Sequence, residues 1–191
     1  LLLKRTAGDD PRRLDIERIR DAGERAAGLT REMLAFGRRQ LLKPRVLEIN
    51  EFLGEFSGTL SDLAGSAVRL SFSPGEEAGR VFLDPDSLRQ SLSRLVANAR
   101  DAMPGGGDLQ LATAPISLRG TLDGVEVAPG PYVLLTVRDT GSGMDTEARA
   151  NIFEPFYTTK TGSEGMGLPS VYGYVKQSGG YIFVDSALGR G

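Results

Sequence analysis

The stretch Asp139-Thr140-Gly141-Ser142-Gly143-Met144 follows directly on the apolar run Tyr132 to Val137 and constrains the chain more than any other segment. A β-branched run ending in a carboxylate and two glycines predicts a strand that delivers its last residue into a tight, exposed turn. Glycines there let backbone approach a ligand closely, and the carboxylate stands where a pocket floor would present it. A capped strand-to-helix turn needs the same residues. The two alternatives part only if other segments converge on the same place.

At 191 residues the chain is long enough for one sizeable core, or one domain with an appendage. It has no cysteine, which excludes disulfides and thiolate metal sites, and no histidine, which excludes an imidazole ligand, base or phosphoacceptor. No apolar run approaches the ~20 residues needed to cross a bilayer, so a soluble, cytoplasmic segment without membrane contact is expected. The net charge of −2 hides an asymmetry: residues 1–43 carry 11 Lys or Arg against 7 Asp or Glu, and the remainder is acidic. A solvated helix face beside an acidic domain explains this better than nucleic-acid binding.

From Pro11 to Leu42 one long helix is predicted, with Asp10 as cap and Pro11 at its first position. Ile19, Ala26 and Met33 interleave with Ala22, Leu29 and Phe36 as an a/d seam, which suits pairing with another helix. An amphipathic helix packed on its own domain is the alternative. Pro44 ends the helix, and the domain boundary is expected near Lys43 and Pro44. Arg45 to Ile49 alternates like a strand, and Asn50 is positioned to cap a helix reaching about Leu63. Val68 to Phe72 and Arg80 to Leu83 are expected to form a hairpin. Asp84-Pro85 opens a helix to about Met103. Strands at about Leu109 to Ile116 and Tyr132 to Val137 flank a Gly/Pro-bearing loop, and a short helix covers Asp145 to Ala150. A helix from about Pro169 to Gln177 is followed by a last strand, Tyr181 to Val184. The pattern is α+β, with mostly antiparallel strands and helices on one face.

Three further places could serve a ligand at the Asp139 turn. Gly165-Met166-Gly167-Leu168 opens a helix, where free N–H groups favour an anion, although a loop that merely needs turns looks the same. Lys160 could offer a point charge to a phosphate, or simply be solvated. Asn98 sits among small apolar residues of its helix, where its amide could bind Mg²⁺ through oxygen or satisfy backbone.

The order Asn98-Ala99-Arg100-Asp101-Ala102-Met103, Asp139 to Met144, Phe153-Glu154-Pro155-Phe156, then Gly165 to Leu168 resembles the N, G1, F and G2 boxes of sensor histidine kinases. Their ATP-binding fold, of GHKL or Bergerat type, is shared with gyrase-type and MutL-type ATPases. The resemblance implies a two-layer α/β sandwich with a mixed, mainly antiparallel sheet. Residues 1–43 would hold the second helix of a dimerisation hairpin, and residues 44–191 the catalytic domain. By the same resemblance Asp139 accepts a hydrogen bond from the adenine amino group, with Gly141, Gly143 and Met144 around the base. Asn98 and Asp101 belong to the nucleotide site, Asn98 holding Mg²⁺. Lys160 and the amides of Gly165, Gly167 and Leu168 meet the phosphates, and Phe153 to Thr159 begin a lid.

Two positions depart from that family. Arg94 stands where the kinases carry a second Asn and the gyrase-type enzymes a Glu that activates water, which favours kinase over hydrolase. Pro169 follows the Gly-Leu pair and lacks an N–H. The resemblance also implies an acceptor histidine that this sequence does not contain, and a last strand beyond Gly191, so a fragment beginning after the acceptor helix is expected. The expected function is an ATP- and Mg²⁺-dependent kinase module, homodimeric through its N-terminal helix. It would donate phosphate to a histidine elsewhere, for relay to a response-regulator receiver domain. A degenerate, nucleotide-binding dimerisation scaffold is the alternative.

Overall fold

The structure, a computed structural model, describes residues 42–160 and 163–191, together with Asp15, Arg18, Ile19 and Gly23. The chain divides into two units, Leu1–Leu41 and Leu42–Gly191. Those four residues of the first unit are helical, and Leu42, where the expected Pro11 to Leu42 helix would end, is not; the other residues of that helix, and its seam apart from Ile19, lie outside the described residues.

The second unit opens with strand β1 (Arg45–Glu48) and helix α1 (Ile49–Ala64). Ile49, Phe52, Leu53, Leu60 and Ala64 fall on one face at helical spacing and are buried. The cap is Glu48, whose carboxylate accepts the Glu51 N–H at 2.9 Å, and not Asn50. Asn50 is instead drawn into the fold. Its Nδ2 donates to the Gly75 carbonyl at 3.0 Å, and its Oδ1 accepts from the Thr113 hydroxyl at 2.6 Å.

That network explains a second departure from expectation. Strands β2 (Val68–Ser73) and β3 (Arg80–Leu83) do not form a hairpin. β3 runs antiparallel to β1, while β2 runs parallel to β4 (Gly107–Leu122), with Val68 opposite Gly107. Gly75, in the link between β2 and β3, donates its N–H to Thr113 Oγ1 at 3.0 Å and lies so close to the Thr113 carbonyl that a Cβ would not fit. The link is thereby fastened to β4. A parallel pair needs a long crossover, and helix α2 (Pro85–Ala102) lies in it.

The α2 helix begins as the Asp-Pro dipeptide predicts. The buried Asp84 caps it, accepting the Ser87 N–H at 2.8 Å, with Pro85 first in the helix. Leu88, Leu92, Val96 and Ala99 form its buried stripe. β4 and β5 (Val125–Asp139) form a long antiparallel hairpin, so most of the stretch expected as a loop is strand. Asp123 and Gly124, at φ 48° and 77°, make the two-residue turn, whose left-handed backbone matches the twist of paired strands. Helices α3 (Thr146–Asn151) and α4 (Gly167–Gln177) follow.

The sheet of β2, β4 and β5 turns Leu109 and Leu111 towards the helices, where they join Leu53, Leu60, Leu92 and Val96 in the core. α1 packs on α2, and α2 on α4. Tyr181 to Val184 does not pair as a strand. Side chains hold Tyr181 instead: its hydroxyl accepts the Ala128 N–H at 2.8 Å, and its ring meets Tyr132 edge-on at 5.8 Å and Lys176 at 5.1 Å.

Candidate nucleotide site

Helix α2 is the axis of the site. Its last three turns carry Arg94, Asn98, Asp101 and Ala102, and residues four apart on a helix share a face. Asn98 is half-buried, and its amide makes no hydrogen bond to a described residue. Its Nδ2 lies 3.7 Å from where a Cβ on Gly167 would stand, so the first box and the last meet at this amide.

One turn further on, the Ala102 carbonyl accepts the Ser142 N–H at 3.0 Å. That bond anchors the Asp139 turn to the same helix. Asp139 is the last residue of β5, opposite Leu109 of β4. Its Oδ1 accepts the Gly141 N–H at 2.9 Å, while Oδ2 makes no hydrogen bond to a described residue. Gly141 is buried, and a Cβ there would stand 2.8 Å from the Ala102 Cβ. Gly143 has φ 64° and faces the Ala187 carbonyl with no room for a side chain. Met144 is half-buried and donates its N–H to Ser186 Oγ at 2.9 Å.

The other pole is built from the segment after α3. Phe153 packs on Tyr172 of α4 with ring centroids 5.0 Å apart. Phe156 has the left-handed φ of 70°, which a bulky side chain rarely adopts. Its N–H donates to the Gly165 carbonyl at 3.1 Å, and Gly165 stands too close to the Phe156 backbone to carry a Cβ. The loop that bears Lys160 is therefore closed at its base. Lys160 reaches back to α2, with Nζ 3.2 Å from Asp101 Oδ2.

Asp101 Oδ1 in turn accepts from Arg100 at 2.9 Å. Partial burial alone would raise the Asp101 pKa, but the hydrogen bonds from Arg100 and Lys160 outweigh it and hold it below the ordinary carboxylate value. Helix α4 begins at Gly167 and Leu168, and Met166 before it makes no side-chain cap, so the first N–H groups of the helix are open to a ligand. Pro169 lies in that first turn and is fully buried.

The structure thus gathers Asn98, Gly167, Asp101, Lys160 and the Asp139 turn around the C-terminal end of α2. A cavity of about 960 Å³ lies elsewhere, between the helices and strands β3 and β5; its walls include Leu88, Leu92, Val171 and Phe183, and no candidate residue lines it. Sequence order did not reveal Thr140, Ser186 and Gly189 as parts of the frame. The Gly189 N–H donates to the Ser142 carbonyl at 2.7 Å, so the last turn of the chain backs the Asp139 loop. These are tertiary contacts between residues more than 30 positions apart, for which sequence carries only the small residues that allow them.

Residues 83–191 match the family described as histidine kinase-, DNA gyrase B-, and HSP90-like ATPase. Sensor kinase CckA of Brucella abortus (strain 2308) is 39% identical over 195 aligned positions, which take in 100% of this chain and 21% of that protein. Sensor histidine kinase ZraS of Klebsiella oxytoca is 32% identical over 190, covering 98% of this chain and 38% of its own. The crystal structure of full-length ShkA in complex with AMPPNP superposes with a TM-score of 0.67 at 25% identity, over 99% of this chain and 39% of that one. The chain spans about a fifth to two fifths of the length of these relatives. No described helix is long and apolar enough to cross a membrane. With its matched residues running from the cap of α2 to Gly191, the chain belongs to the histidine kinase-, DNA gyrase B- and HSP90-like ATPase family, beside the sensor histidine kinases.

Proposed function

We propose that residues 44–191 bind ATP and Mg²⁺ as the kinase module of a sensor histidine kinase, donating the γ-phosphate to a histidine outside this sequence for relay to a response regulator. The observation that carries this is the convergence on α2: a free half-buried amide at Asn98 beside the uncapped start of α4, and the Asp139 turn bonded to Ala102 one turn on.

The free Oδ2 of Asp139 accepts the adenine amino group, while Gly141 holds the other oxygen. Gly143 and Met144 leave a flat backbone edge for the base. Open N–H groups at Gly167 and Leu168 face phosphate, aided by the positive end of the helix dipole. Asn98 suits Mg²⁺ because an amide oxygen is a hard donor and this one has no hydrogen-bond partner among the described residues. A magnesium ion held by Asn98 would supply positive charge to offset the charge that develops on the leaving group. Lys160 leaves Asp101 to meet the terminal phosphate. A site of this kind supplies position and charge, and the acceptor imidazole attacks phosphorus from another helix.

Radiolabelled ATP with Mg²⁺ and a separately prepared acceptor-helix domain tests the reading. Label on histidine supports the kinase; tight binding of ATP without transfer to a folded acceptor supports a scaffold, a role for which Arg94 and Pro169 speak. Asp139→Asn should weaken ATP binding by at least about tenfold, because a half-buried hydrogen-bonding position is left mismatched against the base. Unchanged affinity in a titration would remove the pocket assignment.

A further inference from the structure

The turn that carries Asp139 is not held by its own glycines alone. Thr140 is exposed as a residue, yet its hydroxyl is turned onto the protein: Oγ1 accepts the Asp108 N–H at 3.0 Å and donates to Met103 Sδ at 3.7 Å. Its own N–H donates to the Asp108 carbonyl at 3.1 Å. Thr140 and Asp108 therefore exchange two hydrogen bonds one residue past the last β4–β5 pair, Leu109 with Asp139.

The fit around that hydroxyl is close. A Cβ on Gly107 would stand 2.8 Å from Thr140 Oγ1 and 2.6 Å from Met103 Sδ, so any larger residue there would have to displace one of these two side chains. Met103 is buried at the end of α2, the helix that also carries Asn98 and Asp101. One side chain thus joins the end of α2, the start of β4 and the residue next to Asp139.

We propose that Thr140 is a positioning residue that fixes the direction of the Asp139 carboxylate relative to α2, and so sets preference for adenine over guanine. This rests on the nucleotide reading above. Without the hydroxyl the Asp108 N–H loses its partner, and the Asp139 to Gly141 backbone can rotate away from Met103 while the strand pair at Leu109 remains. Asp139 keeps its charge but not its aim. A carboxylate accepts from the 6-amino group of adenine and opposes the 6-oxo group of guanine only when its direction is fixed, so selectivity suffers along with affinity.

The test compares Thr140→Val, which keeps shape and removes the hydroxyl, with Thr140→Ser, which keeps the hydroxyl and removes the methyl. Binding of ATP and of GTP to the full 191-residue chain is titrated, with the melting temperature recorded for each variant. Thr140→Val is expected to lose about fivefold in ATP affinity, the worth of one net hydrogen bond, and to narrow the ATP-to-GTP ratio, while Thr140→Ser stays within about twofold of the parent.

Equal nucleotide behaviour of Thr140→Val and the parent overturns the proposal, as does an equal loss in both variants, which would assign the effect to the methyl group. If Thr140→Val does not fold, Met103→Leu removes the sulfur acceptor at similar volume; a smaller ATP-to-GTP ratio supports the proposal and an unchanged ratio overturns it. Failure of the parent chain to bind ATP is a separate result: it ends the nucleotide reading itself, and this proposal with it.

Discussion

Asp101 and Lys160 form the one contact that links the Lys160 loop to α2 by charge among the described residues, and their side chains are 40% and 38% exposed. A pair so open to water is worth about 0–1 kcal/mol, so a triphosphate can take the lysine away from it. Asp101→Asn should therefore leave the melting temperature nearly unchanged. It should strengthen ATP binding by about threefold at low salt, because a negative charge leaves the phosphate end of the site, and the gain should fade as salt screens it. Weaker ATP binding in a salt-series titration would mean that Asp101 presents Lys160 to the nucleotide. Gly143 offers a second test at this scale. Its φ of 64° would cost an alanine about 1–2 kcal/mol before any contact, and the added Cβ would strike the Ala187 backbone. Gly143→Ala should lower the unfolding free energy by at least that amount in urea, and should loosen the base-facing edge of the site.

The capped start of α2 was legible in sequence because Asp84-Pro85 states both cap and first residue, and its stability carries a pH signature. Hydrogen bonds from the Ser87 and Lys43 backbone N–H groups hold the Asp84 pKa below its ordinary value, against the opposing effect of burial. A carboxylate depressed in the folded state contributes its full stability above the unfolded pKa of about 3.9, and loses it as pH falls through the lower folded value. The stability gap between the parent and Asp84→Asn should thus be constant above about pH 5 and shrink below about pH 4. A gap that grows on acidification, followed by urea unfolding, would contradict the assignment. Tyr174 ties α4 to the same residue, its hydroxyl donating to the Asp84 carbonyl at 2.9 Å, and burial pushes its pKa up to about 12. Tyr174→Phe should cost about 0.5–1.5 kcal/mol, the net worth of one hydrogen bond, since the Leu88 N–H still donates to that carbonyl. Other elements were misread for physical reasons. Arg80 to Leu83 alternates as any strand does, but its partner is β1, more than 30 residues back; local pattern cannot choose between a near partner and a distant one. The Asp123-Gly124 turn was readable, yet Gly120, Gly130 and Pro131 around it suggested a loop, and the long cross-strand register overrode them.

Taken whole, the molecule divides unevenly between what sequence shows and what only folding supplies. The four boxes were legible because each combines a chemically necessary residue with the glycines that let backbone reach a ligand, and all four sit on or beside α2 and α4. The bonds that hold them in register come from residues without any such mark, Thr140 from one side and Ser186 from the other. Among the described residues, the buried cluster of the core that supports this frame runs from Leu47 to Tyr174. A protein comprising residues 42–191 should therefore unfold in one cooperative transition and bind ATP with the affinity of the 191-residue chain. Dimerisation belongs, in our proposal, to the helix predicted before Pro44, whose a/d seam suits pairing with another helix. The shorter protein should sediment as a monomer at concentrations where the longer one associates. If both associate equally, the seam is not the dimer contact and the interface must be sought on the second unit. If the shorter protein fails to fold, the first unit contributes to the core of the second, and the boundary drawn at Pro44 is wrong.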